Sequence, residues 1–304
     1  MTISRPSVSV VIPCFNQARY LPAAVASVRA QHCGGSVDCL VVDDGSTDET
    51  AAVASRLDVT VIRQGNAGVS AARNAGLAAA RADLVVFLDA DDELLPDAID
   101  AELVALDAHP DAAAVVGRCL PIDAEGRAVA CEYQDVDAGN LYREWLPRNF
   151  VWTPGAALFR RAPLEAIGGF PIPLGPAADY AVYLRLARTS RVVFLPRPLV
   201  RYRQHDASMS RDPALMLRAT LRVLRREQRE GPASAHAAIR SGRDVWRGWY
   251  GEQIIDGLRR DWRAGRVGAR QARAALTLLR HCPEMVLHRM PGRARRAVAW
   301  RASR

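Results

Sequence analysis

Four short apolar runs, each ending in polar residues, constrain the fold of this chain more than any other feature. They are SVSVVIP (7–13), VDCLVVDDGSTDET (37–50), DVTVIRQ (58–64) and VFLDADDELLP (86–96). Helical spacing fills the intervals. Leu21, Val25 and Val28 lie four and three residues apart within 17–31, and GVSAARNAGLAAAR (68–81) is a second such stretch. Asp48 is placed to begin a helix, and another should follow Pro96, a good first-turn residue. Strand and helix patterns in alternation predict a mainly parallel central sheet flanked by helices. The runs are continuously apolar, as strands covered on both faces must be.

The polar residues then fall in one place. Asn16, Asp43, Asp44, Asp89 and Asp91 all lie just past the carboxyl ends of predicted strands. Ligands of open α/β sheets bind at that edge. Asp89-Ala90-Asp91 puts two carboxylates on the same side of an extended chain. Converging carboxylates are costly without a cation between them, and Mg²⁺ or Mn²⁺ takes oxygen ligands of this kind. The alternative is a turn solvated by its acids. Asn16 and Ser46 have an equally plain reading as caps, Gly45 as a turn residue, and Arg73 as a solvated residue on an Ala-rich helix.

Further along, AAAVVGR and GAALFRR read as strands joined by a loop that includes Trp145 and Trp152. Residues 163–169 read as a short helix ending at Gly168-Gly169. DYAVYLRLAR is helical, with Val182, Tyr183, Leu186 and Ala187 on one face, and VVFLP (192–196) is the last strand. The pattern becomes helical and basic beyond Asp212.

Six ordered segments across residues 6–210 resemble family 2 glycosyltransferases of the GT-A fold. They are VSVVIPCFNQARYLPAAVASVRAQ, VVDDGSTDET, NAGVSAARNAGLAAARADLVVFLDADDELLPDAI, GAALFRRAPLEAIGGF, ADYAVYLRLAR and RYRQHDASMS. The resemblance implies a nucleotide-diphosphate sugar donor, UDP-linked as first choice, with Mn²⁺ or Mg²⁺ and inverting transfer to a glycan or lipid-linked acceptor. It places Pro13, Phe15 and Asn16 near base and ribose, Asp43 or Asp44 on the nucleobase, and Arg73 near diphosphate or base. Asp89 would contact ribose or metal, and Asp91 would ligate the metal directly. His205 would approach the metal or diphosphate, with Arg201, Arg203 and Ser208 as possible phosphate holders. Asp92 and Glu93 are left as solvent-facing or supporting residues. The family's catalytic base lies in a Glu-Asp pair at a helix start. Here that pair reads Ala178-Asp179, so Asp179 is the expected general base and the preceding acid is missing. The plain reading of Asp179 is a helix N-cap. Trp152 is either part of an acceptor wall or a core residue.

Charge divides the chain. From Arg211 onward, 22 arginines face 8 acids, whereas residues 1–210 hold 19 arginines against 25 acids. The expected organisation is a nucleotide-sugar-binding and catalytic domain (1–210) and a basic helical C-terminal region (211–304). Arg218, Arg222, Arg225 and Arg226 stand among an apolar stripe of Leu217, Leu221 and Leu224, and Ile254, Ile255, Leu258 and Trp262 form a second stripe. These arginine-rich helices either pack on the core or meet an anionic membrane surface. No zinc-finger, RNP or helix-turn-helix signature supports nucleic-acid binding. No apolar run approaches the roughly 18–20 residues that span a bilayer. Six cysteines without CxxC spacing read as reduced thiols. The expected location is cytoplasmic, or peripheral at the inner face of the cell membrane. The expected role is bacterial cell-surface polysaccharide or glycolipid synthesis. Two other classes fit less well: a non-catalytic nucleotide-sugar-binding relative that docks partners, and a nucleotidyltransferase. The latter would need glycines where PCFNQ stands.

Overall fold

Three of the four apolar runs become largely buried strands in a computed structural model that describes residues 7–205 and 208–289, whereas the run at 58–64 forms an edge strand that stays mostly exposed, with Val61 at 40%. The first strand, β1 (Val8–Cys14), is buried along its whole length. Val8, Val10, Val11 and Ile12 lose all exposure, each burial contributing about 1.5–3 kcal/mol. In chain order there follow α1 (Leu21–Arg29), β2 (Val37–Asp43), α2 (Thr50–Ala54), β3 (Thr60–Arg63), α3 (Val69–Ala79) and β4 (Leu84–Phe87). Next come β5 (Glu93–Leu94), α4 (Ala98–Asp107), β6 (Ala112–Ile122), α5 (Leu141–Trp145), β7 (Ala157–Arg160), α6 (Arg161–Ala166), α7 (Ala178–Thr189) and β8 (Arg191–Arg203). The eight strands form one sheet in the order β3-β2-β1-β4-β7-β6-β8-β5.

The pairs β3-β2, β2-β1, β1-β4 and β6-β8 are parallel, while β7 and β5 pair antiparallel with their neighbours. From β1 the chain steps outward to β2 and β3, then returns to place β4 on the other side of β1. The reversal opens a crevice beyond the ends of β1 and β4, where such sheets bind ligands. Helix α3 lies close over β1. A methyl added at Gly76 would come within 2.2 Å of Val11 Cγ1, so the glycine permits that approach.

Two differences from the sequence expectations have local causes. The loop holding Trp145 contains a helix, α5, whose five residues are too few to show a period. Asn140 caps it by accepting from the Arg143 amide at 3.1 Å. Trp145 is fully buried, stacked between Phe150 at 4.8 Å and Tyr183 at 5.4 Å. The last strand is 13 residues long rather than five. Pro196 and Pro198 interrupt its pattern, and shifts of register against β6 absorb the irregularity.

The chain divides into two compact units, Met1–Ser208 and Met209–Arg304. The second is helical: α8 (Pro213–Glu230), α9 (His236–Arg263), α10 (Ala269–His281) and α11 (Pro283–Arg289). Asp212 caps α8, accepting from the Ala214 and Leu215 amides at 3.0 and 2.9 Å. Leu217, Leu221 and Leu224 are buried as their spacing predicts. The other predicted stripe breaks: Ile254 is buried, but Trp262 is 77% exposed. Among the described residues no helix is long and apolar enough to cross a membrane. The cysteines are all free, and Cys14, Cys33, Cys119 and Cys282 are buried.

Candidate active site

Two acidic strand ends face the crevice. At the end of β2, Asp43 is fully buried. Its Oδ1 accepts from the Ser46 amide at 2.9 Å, and its Oδ2 lies 3.3 Å from Arg63 Nε without hydrogen-bond geometry. Strand register sets Asp43 and Arg63 side by side. Asp44 is spent differently. It accepts from Gln64 Nε2 at 2.8 Å and from the amides of Ala67 and Gly68 at 2.9 and 2.7 Å. Those bonds pin the loop that enters α3. Gly45 completes the turn with φ +75°, where a methyl would lie 2.8 Å from the Asn66 amide.

Asn16 also holds a turn rather than a helix end. At φ 55° it accepts through Oδ1 from the Thr47 and Asp48 amides at 2.8 and 3.3 Å, and its own amide donates to Ser46 Oγ at 3.0 Å. The ends of β1 and β2 are thereby stitched together. Pro13 is buried in β1, and Phe15 beside it is exposed.

At the end of β4, Asp89 meets Arg73 from α3, whose Nη2 donates to Oδ1 at 2.6 Å. Thr153 Oγ1 donates to the other oxygen at 3.3 Å. Arg73 is buried against the Phe170 ring at 5.2 Å, so the solvated-surface reading of it fails. Asp91 Oδ2 lies 2.8 Å from His205 Nε2, and the imidazole stacks on Tyr20 at 5.4 Å. Ser208 Oγ accepts from the His205 amide at 3.3 Å.

The remaining acids support the site instead of facing solvent. Asp92 is 1% exposed and accepts from the Arg203 amide at 2.9 Å. Burial drives its carboxyl well above the usual range, and the charges of Asp91 and Asp89 push it the same way. Glu93 pairs with Arg201 at 2.9 Å and with Arg203. Arg203 also donates to the carbonyls of Asp91, Asp123 and Ala124, and Arg201 to that of Gly126. As placed, both arginines are committed to protein acceptors and do not reach out as phosphate holders.

Asp179 sits in the first turn of α7. It is not the N-cap, a position held by Ala177 with no side-chain bond. Asp179 Oδ1 accepts from the Tyr180 amide at 2.7 Å. Burial raises its pKa to about 6, with Arg73 opposing the rise and Asp89 adding to it. A buried carboxyl poised near neutrality suits a general base. One turn on, the Tyr183 hydroxyl is buried with no hydrogen-bond partner among the described residues. Trp152, half-buried, lies 6.2 Å from Tyr202.

A divalent cation fits the Asp91–His205 pair. Two neighbouring ligands of an octahedral ion at about 2.1 Å stand about 3.0 Å apart, near the 2.8 Å seen here. A carboxylate and an imidazole would suit Mn²⁺ at this position. Among the described residues no cluster of three or more His, Cys, Asp or Glu adds to that pair. Asp89, held by Arg73 and Thr153, stands beside the pair and not in it.

Arg63 and Thr153 were not anticipated from sequence. Arg63 had a readable signal, since it ends β3 as Asp43 ends β2. Thr153 had none, because its partner lies 64 residues away.

A mainly parallel sheet with acids and a buried arginine over its point of reversal defines a GT-A-like fold. Residues 9–168 match Glycosyl transferase family 2, and the chain belongs to that inverting family. It is 31% identical over 218 residues to an uncharacterized glycosyltransferase from Nostoc, covering 66% of each chain. It is 28% identical over 220 residues to the putative glycosyltransferase EpsH of Bacillus subtilis, covering 67% of this chain and 62% of EpsH. The chain thus spans just under two thirds of those relatives. Two solved structures share the fold. TarS 1-349 of S. aureus in complex with UDP has a TM-score of 0.61 at 17% identity, over 98% of this chain and 87% of that one. The mannosyltransferase PcManGT of Pyrobaculum calidifontis, in complex with GDP-Man and Mn²⁺, has a TM-score of 0.61 at 19% identity, over 99% and 81%.

Proposed function

We propose that this protein is an inverting, metal-dependent glycosyltransferase that moves a hexosyl group from a nucleotide-diphosphate sugar to an acceptor hydroxyl. The observation that carries the reading is Asp179. It is a buried carboxyl with a pKa near 6, placed where the Arg73 and Asp89 charges bear on it. In the reaction the acceptor oxygen attacks the anomeric carbon and the new C–O bond forms as the bond to diphosphate breaks. The acceptor proton passes to Asp179 and the electron pair leaves with the nucleoside diphosphate. Asp43 accepts from the nucleobase, with Pro13, Phe15 and Asn16 shaping the base and ribose subsite. Asp44 serves that subsite by holding its loop. Arg73 orients Asp89 toward the ribose and lends positive charge near the diphosphate. Asp91 and His205 hold a Mn²⁺ or Mg²⁺ ion that, when bound, neutralises the departing diphosphate.

UDP is the preferred carrier. TarS was solved with UDP-GlcNAc and PcManGT with GDP-Man, so both nucleotides belong in the test. The acceptor is a glycan or lipid-linked glycan of the bacterial cell surface, extended in the cytoplasm at the inner face of the membrane. A screen of UDP-, GDP- and dTDP-sugars for Mn²⁺-dependent thermal stabilisation tests the donor half. A donor at about 100 times its Kd should add about 2.7 kcal/mol of stability. No shift with any donor, with or without metal, contradicts the reading.

A further inference from the structure

Helix α10 is built the wrong way round for a helix facing water. Its inward side is Thr277, Leu278 and His281, all buried. Arg218 Nη1 of α8 donates to Thr277 Oγ1 at 2.7 Å and fixes that orientation. By helical geometry the opposite pole carries Ala272, Leu276 and Leu279. Leu276 is 65% exposed and Leu279 54%. An ordinary surface helix presents charge there. Just before α10, Trp262 in the last turn of α9 and Val267 in the connecting turn are 77% and 80% exposed. Four large apolar side chains are thus left in water within one helical hairpin.

The surroundings name the partner. Seven arginines and one acid lie between Arg259 and His281. The single acid, Asp261, is already occupied by Arg266 at 2.8 Å and Gln271 at 2.7 Å. Arg273 and Arg280 border the leucine face. The positive field is strong enough to act on its own groups. Burial holds His281 below its usual range, and Arg225, Arg280, Arg247 and Arg218 add to the depression. A leucine face flanked by arginines, with a tryptophan at its end, matches a lipid surface: the apolar groups enter the acyl boundary and the guanidinium groups stay with anionic headgroups.

We propose that the outward face of α10, with Trp262 and Val267 just before it, docks this protein on an anionic lipid bilayer. The binding is peripheral and reversible. It goes beyond the transferase reading and does not depend on it, since none of these residues belongs to the sheet edge.

Sedimentation of the full chain with vesicles tests it, without donor or metal. One set is phosphatidylcholine alone and the other contains roughly 30% phosphatidylglycerol. Binding should be about tenfold stronger to the anionic set and should be lost in about 0.5 M NaCl. The L276S/L279S pair keeps every charge and should weaken binding about tenfold, and R273Q/R280Q, which keeps the leucine face, should do the same. Both pairs are exposed, so melting temperature should hold. Absent binding, equal binding to both vesicle sets, or full binding by L276S/L279S overturns the proposal. Self-association in solution that L276S/L279S abolishes, without vesicle binding, overturns it in favour of a second copy on this face. Nucleotide-sugar binding measured on the same samples keeps the result separate from the fate of the transferase reading.

Discussion

The acidic ends of β2 and β4 look alike in sequence, yet the molecule answers them with different chemistry. At β2 the acceptors are met largely by backbone amides: Ser46 for Asp43, and Ala67 and Gly68 for Asp44. At β4 they are met largely by side chains: Arg73 for Asp89, the His205 imidazole for Asp91, and Arg201 and Arg203 for Glu93. Backbone amides are neutral and fixed by the chain path, so the β2 end is a rigid seat. Side chains can rotate and trade partners, so under the proposed function Asp91 and His205 would exchange their mutual contact for a shared metal ion. Four acids within five residues are tolerable before any ligand arrives because the fold supplies its own arginines.

The sharpest way to break the comparison is to remove the central cation of the β4 end. Arg203→Met leaves Glu93 without its buried partner and frees the carbonyls of Asp91, Asp123 and Ala124. It should cost about 3–5 kcal/mol in chemical denaturation, as loss of one member of a buried pair does. A cost below about 1 kcal/mol would show that the arginine network does not carry that edge.

Next in size is Asp91→Asn, which keeps shape and removes charge. Transfer should fall about 10²–10³-fold, and Mn²⁺-dependent stabilisation by donor should vanish while the fold stays intact. Full metal response in this variant would remove Asp91 from the metal site. The smaller effect belongs to the β2 end. Asp44→Ala strips the loop amides of their acceptor and should cost about 1–3 kcal/mol of stability. It should raise KM for donor more than it lowers kcat, because a seat is loosened and no reacting group is lost. A pure kcat defect would mean that the β2 end takes part in the chemistry.

Much of this architecture was legible beforehand for a simple reason. Strands β1 and β4 are buried along their whole length, so their composition reports burial directly, and the ends of the early strands mark the ligand edge without further information. The aspartates of the site were found that way. What escaped depends on partners distant in sequence. Arg203 reads as a phosphate holder until β8 sets it beside Asp92 and Glu93, 110 or so positions earlier. Asp92 reads as either solvent-facing or supporting until the neighbouring strands close over it and settle it as supporting. Trp262 reads as part of an apolar stripe until α9 leaves it in water. Asp179 showed the reverse: local sequence favours a cap, whereas the helix begins two residues earlier and leaves its carboxyl for other work.

The central claim is that Asp179 is the base of the transfer, and the pH profile of its asparagine variant tests this most directly. Its folded pKa of about 6 lies above the ordinary 3.8, so the carboxyl is protonated and inactive below about pH 6. In the native protein kcat/KM should therefore rise through about pH 6 and level off above it. The same shift costs the fold stability that accumulates between pH 3.8 and about 6 and is complete above it, so Asp179→Asn should be the more stable protein at pH 8. In that variant transfer should drop about 10²–10⁴-fold and the acid limb near pH 6 should disappear, with donor affinity unchanged. Transfer at the native rate, or an acid limb that survives the substitution, would contradict the account.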